Sequence, residues 1–167
     1  MKKIGWATIL SLGLLMMTAP VFAAQDTANL TVNATVSARA KLTLSQAAIN
    51  FPDADPDVVA SIPASENAVD VEVKVRTGAA STATLTHQAG GNLIGAPSGT
   101  IAITNVTWTA TGAGFVAGTM DSATPQSAGS WTGSGDRTGT FSYFLANSWA
   151  YEPASYTASS TYTLTAP

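Results

Sequence analysis

Few residues in this 167-residue chain are of a type and spacing that could do chemistry. His87 is the only histidine, so a Ser-His-Asp arrangement would have to use it as its base. It stands in the alternating run Thr82-Ala83-Thr84-Leu85-Thr86-His87, where a surface or partly packed strand histidine is the expectation. Asp53, Asp55 and Asp57 resemble the opening of a calcium loop. Pro56 interrupts them, however, Val58 stands where the EF-hand turn needs Gly, and Ala64 stands where it needs Glu. A solvated acidic turn accounts for them better. No pair of carboxylates is singled out for sugar hydrolysis. Cysteine is absent, which removes thiolate zinc sites, cysteine nucleophiles and haem attachment. No catalytic residue, metal ligand or cofactor is assigned, and the expectation is not an enzyme. A secreted hydrolase ranks last among the readings.

Two further groups bear on binding and crosslinking. Lys41 and Lys74 are of the type that forms isopeptide bonds with asparagine, although nothing locates the buried acid this requires. Trp108, Trp131, Trp149 and Tyr151 are the aromatics that would stack on a sugar. Trp108 fits a sandwich core, whereas Trp149 and Tyr151 precede Pro153 in a loop open to glycan or subunit contact.

The elements that would carry these residues begin after a leader. Lys2 and Lys3, the apolar run Ile9–Met17 and the small residues of Val21-Phe22-Ala23 read as a secretory signal peptide over residues 1–23. Its apolar stretch is too short for a membrane anchor, and no later stretch is long enough to span a membrane. Ala24–Pro167 is one domain by length. It holds five basic residues against ten acidic ones, a net charge of −5, which argues against nucleic acid or an anionic membrane as partner. Charged residues make up 10% of the chain, against about 25% in ordinary soluble domains. Thr, Ser, Ala and Gly fill the surface instead, which suits a protein that packs against copies of itself.

Period-two alternation recurs along the chain and no window keeps a helical period. Val69, Val71, Val73 and Val75 alternate with Asp70, Glu72, Lys74 and Arg76, a half-buried strand. Further strands are expected at Thr82–His87, at Ile101–Trp108 with a bulge at Asn105, at Thr140–Leu145 and at Tyr156–Leu164. Residues 118–139, rich in Gly, Ser and Thr, read as a long connection with a short strand around Trp131. Seven or more short strands predict an all-β sandwich.

The longest alternation runs from Ala28 to Leu44, with every even position apolar and every odd one polar. At about 3.3 Å per residue it would reach roughly 56 Å. A domain of this size is roughly 37 Å across. Either the strand bends near Ser37–Ala40 and changes sheets, or its first half is buried elsewhere.

The segments Asn29–Val36 leading into Leu42-Thr43-Leu44, and Ser155–Ala158 followed by Tyr162-Thr163-Leu164, resemble those of chaperone–usher pilins. The cysteine-free colonisation-factor (alpha) class is the nearest in character, and Val69–Thr77 and Ile101–Trp108 are similar in character and order. Ala154 departs from the Gly usual in that family's closing hairpin, and Trp149 and Tyr151 have no counterpart in it. The resemblance implies an incomplete immunoglobulin-like sandwich over residues 39–167, preceded by an N-terminal extension, residues 24–38, that is donated to the next subunit. It implies that Ala28, Leu30, Val32, Ala34 and Val36 point into the neighbour. It further implies a homopolymer assembled by a periplasmic chaperone and an outer-membrane usher, exported to the cell surface as a pilus, with a host or surface receptor as possible partner. The alternative is a self-complete secreted sandwich, an adhesin or matrix protein, with residues 28–36 folded in cis.

Overall fold

The structure is a computed structural model that describes residues 24–167, so the leader expected at residues 1–23 lies outside the described residues. The chain divides after Ala34. Residues 24–34 carry no strand and are exposed throughout.

From Thr35 onward the protein is all-β. Twelve strands follow in order: β1 (Arg39–Leu44), β2 (Ser61–Pro63), β3 (Val69–Arg76), β4 (Thr82–Ala89), β5 (Leu93–Ala96), β6 (Thr100–Ile101), β7 (Val106–Thr111), β8 (Gly118–Thr119), β9 (Gln126–Thr132), β10 (Gly135–Ala146), β11 (Ser155–Thr157) and β12 (Ser160–Thr165). Among the described residues no helix is long and apolar enough to cross a membrane.

β10 is the spine of the largest sheet, whose order is β1-β3-β10-β7-β8 with β2 also on β10. All its pairings are antiparallel. β3 covers one flank of β10 from Gly135 to Phe141, and β2 takes over that role at Phe144–Ala146. A second sheet is ordered β12-β4-β9 and a third β11-β5-β6. The β-branched and aromatic inner positions explain why these segments are strands: Val69, Val71, Val73 and Val75 all face the core.

The large sheet and the β4 sheet pack face to face through aromatic rings. Trp108 of β7 meets His87 of β4 edge-on at 5.2 Å. Phe141 of β10 stacks on Tyr162 of β12 at 5.6 Å. Phe115 bridges Phe141 and Trp131 at 5.8 and 4.8 Å. Phe141 is fully buried at this crossing, so Phe141→Ala removes a ring from both layers. Urea denaturation should register a loss of about 3–5 kcal/mol.

Several expectations are corrected. The break near Asn105 is a 3₁₀ turn, Ile103–Asn105, rather than a β-bulge; it buries Ile103 before β7 begins. Residues 118–139 are mostly strand: β9 runs for seven residues around Trp131, and β10 starts at Gly135, five residues earlier than expected. The closing segment is two strands joined at Ala158-Ser159, each paired in a different sheet. Gly112 and Gly114, where a turn was expected, adopt φ of +95° and +82°, which L side chains rarely adopt.

Candidate subunit-docking rim

The long alternation from Ala28 divides at Arg39. Only its last six residues form a strand, and Ala28, Leu30, Val32, Ala34 and Val36 are all exposed and outside any strand. Leu30 is 87% exposed, Val32 82% and Val36 68%. Ser37, just before β1, is held by its carbonyl, which accepts a hydrogen bond from the Arg76 guanidinium at 2.8 Å.

β1 and β12 are each the last strand of their sheet. β1 bonds only to β3 and β12 only to β4, so among the described residues each leaves one backbone edge without a strand partner. Residues of the two strands come within 8 Å of each other, Cα to Cα. Two strands flanking a third stand about 9.6 Å apart. The inward side chains along this rim, Leu42 and Leu44 on one side and Tyr162, Leu164 and Ala166 on the other, are only half-buried against the core. Their counterparts on β3, β4 and β10, such as Val73, Leu85 and Phe141, are fully buried.

Under the rim lies an aromatic cluster that the sequence did not single out. The Tyr162 hydroxyl lies 2.7 Å from that of Tyr143, and its ring is 4.5 Å from His87. Burial raises the pKa of both phenols above the ordinary value, keeping them neutral. The alternation of Tyr156 to Leu164 was the available signal for Tyr162; Tyr143 carried its own in the run from Phe141 to Leu145. Replacing Tyr162 by Phe leaves the Tyr143 hydroxyl without this partner. Urea denaturation should show a cost of about 1 kcal/mol.

His87 is 0% exposed, which corrects the expectation of a surface or partly packed histidine. It shares the inner face of β4 with Ala83 and Leu85, and neither ring nitrogen has a hydrogen-bond partner. Burial pushes its pKa down to about 4, so the imidazole is neutral at pH 7. A base with no serine or carboxylate on its nitrogens cannot run a triad.

Of the other sequence candidates only Lys41, on β1, lies at the rim. Asp55 accepts the backbone N–H of Asp57 at 2.9 Å, and Asp57 accepts the Trp149 indole N–H at 3.0 Å. Among the described residues no three His, Cys, Asp or Glu side chains converge on a cation position. Lys74 pairs with Glu72 at 2.7 Å and Asp136 at 3.5 Å in an exposed setting, and Lys41 is exposed. Trp108 and Trp131 are core residues whose indole N–H groups donate to the Val116 and Ala113 carbonyls. Trp149 is 70% exposed, and Tyr151 is half-buried with its hydroxyl donating to the Ala146 carbonyl. In comparisons with known proteins the chain matches no family model, no curated protein and no solved structure.

Proposed function

We propose that this protein is a structural subunit of an extracellular bacterial pilus: an incomplete immunoglobulin-like sandwich that polymerises by donating residues 28–36 to the β1–β12 rim of the next subunit. The observation that carries the reading is the pairing of two features in one chain. One is a rim whose inward leucines and tyrosine are half-buried between two free strand edges. The other is an exposed segment with apolar residues at every second position. Strand addition satisfies both, since main-chain hydrogen bonds fill the edges and alternate side chains enter the core.

Burying Leu30, Val32 and Val36 contributes on the order of 5–9 kcal/mol gross. Ordering the segment offsets part of this. The rim strands must part by a couple of ångströms where they approach within 8 Å, because a strand between them needs about 9.6 Å. A tight hairpin back onto β1 is disfavoured by the connection. Only Ser37 and Ala38 stand between Val36 and β1, and a two-residue hairpin loop wants Gly, Asn or Asp with positive φ. Among the described residues no non-glycine residue has positive φ. A head-to-tail link of this kind builds open filaments. Assembly would require a periplasmic chaperone over the rim and an outer-membrane usher.

The test is gel mobility of surface-extracted protein with and without boiling in SDS, with negative-stain microscopy of the same sample. A ladder that collapses to monomer on boiling, with filaments in view, is the expected result. A single monomer band without filaments overturns the reading and leaves the self-complete sandwich. A ladder that survives boiling replaces strand donation by a covalent link through Lys41 or Lys74.

A further inference from the structure

The charges of this domain are sorted by end. All five basic residues after the leader lie on β1, β3 and β10: Arg39, Lys41, Lys74, Arg76 and Arg137. Arg39 stands directly opposite Arg76 and Lys41 opposite Lys74, two rungs of like charge facing like. Such pairs are unfavourable inside one sheet and call for an outside counter-charge. Lys74 has carboxylates of its own, but among the described residues neither Arg39 nor Lys41 has one within ion-pair distance. These rungs flank the first residues of β10, because Lys74 pairs with Asp136 and Val75 with Gly135.

β10 is twelve residues long, about 40 Å. Beyond its far end, the loops between Phe51 and Ser61 and between Ala146 and Ser155 hold Asp53, Asp55, Asp57 and Glu152, all exposed, with no basic residue. The loops are tied together there. The Asn147 side-chain amide donates to the Ala54 and Val59 carbonyls at 2.9 and 3.0 Å. Trp149 is exposed on this brace, its indole N–H fixed by Asp57. An exposed indole held by one carboxylate, in a pair of tied loops that carry three more and no basic residue, is a receptor for a guanidinium or ammonium group.

We infer that the two ends are complementary halves of one contact, in which Arg39 and Lys41 of one subunit seat against Trp149 and its carboxylates on a second copy of this chain. The inference rests on the strand-donation reading and adds a second interface to it. Chain direction makes the geometry work. β12 runs towards the basic end, where the Thr77 hydroxyl after β3 donates to the Pro167 carbonyl after β12. A strand inserted antiparallel to β12 therefore leaves the acceptor at its acidic end. The donor's own Arg39 follows Val36 by three residues, a reach of roughly 10 Å. Insertion in the opposite direction would press basic end on basic end. The charges thus favour the antiparallel direction as well as the contact.

The test uses the full chain, assembled and extracted as above. Arg39→Glu with Lys41→Glu reverses the donor end, and Asp53→Lys with Glu152→Lys cancels the net charge of the acceptor end while sparing the Asp57–Trp149 bond. The donor change places carboxylates opposite Arg76 and Lys74, so folding is not at risk. Subunit release from diluted filaments is followed by sedimentation. Each pair of changes should speed release roughly tenfold at about 50 mM salt and far less at about 0.5 M, and all four together should release more slowly than the donor reversal alone. Trp149→Ala, which keeps every charge, should also speed release. Filaments whose release ignores both pairs of changes, or a four-fold variant as impaired as the donor reversal, overturn the contact alone. An unaltered chain that forms no ladder collapsing on boiling overturns strand donation, and this contact with it.

Discussion

Under the strand-donation proposal, Val32→Asp should abolish the polymer and leave a folded subunit. Val32 is 82% exposed and outside any strand, so a carboxylate there stays in water in the isolated subunit. Thermal or urea unfolding of the isolated subunit should move by no more than about 0.5 kcal/mol. In the acceptor's rim the same carboxylate would sit among leucines and tyrosines with no cation beside it. Burying it unpaired costs several kcal/mol, enough to cancel most of the gross gain from Leu30, Val32 and Val36. The two readouts together are decisive. Loss of filaments with an unchanged unfolding midpoint fits donation in trans. A subunit that itself loses stability by several kcal/mol would mean that the segment completes its own core, and intact filaments would remove Val32 from the interface.

Mild acid should weaken the domain through His87. The unfolded chain protonates His87 near its ordinary value of about 6.5. The folded domain holds it neutral down to about 4. Above pH 6.5 both states are neutral, and the residue contributes no pH dependence. Between 6.5 and 4 the unfolded state binds the extra proton, so stability falls as pH falls. The loss approaches about 3 kcal/mol by pH 4, a large share of the 5–15 kcal/mol typical of a domain. Glu66 and Asp121, whose pKa values are lowered by hydrogen bonds from Asn50 and from Ala123 and Thr124, add their own losses only at lower pH. Urea midpoints across pH 4.5–7 measure the effect directly. His87→Leu removes the proton site and two unpartnered nitrogens, so its midpoint should be flat over that range. A wild-type midpoint equally flat would show that the imidazole finds a solvated position on protonation.

Where alternation was carried by bulky side chains, the fold was legible in the sequence. Val69 to Arg76 announces both its strand and its buried face, and Ala83, Leu85 and His87 do the same for β4. Reading His87 as a surface or partly packed residue came from weighing its type above its position. The free edges of β1 and β12 were not legible, because the pairings of β1 with β3 and of β12 with β4 join segments tens of residues apart and leave no local mark. The sorting of charge between the ends was equally hidden. It emerges only when the register sets Arg39 against Arg76 and carries Trp149 to the far end of β10. The largest misreading, residues 118–139 as mostly loop, has a side-chain cause. Glycine reads as a break, yet here several glycines lie in strands with an aromatic ring over them. Gly118 lies under Trp108, Gly129 under Trp131, and Gly139 under Phe115. Each ring covers the space that a strand residue would fill with its own side chain.

That arrangement leaves an evolutionary signature. A methyl group at any of these three glycines would collide with its ring, while a smaller residue in place of the ring would open a hole above a bare backbone. Neither half can drift alone. Across divergent descendants of this chain, Gly118 with Trp108 and Gly129 with Trp131 should be retained together or replaced together, Gly139 should be retained because a methyl there would also meet the Thr111 carbonyl, and threonines on the outer faces of the same strands should vary freely.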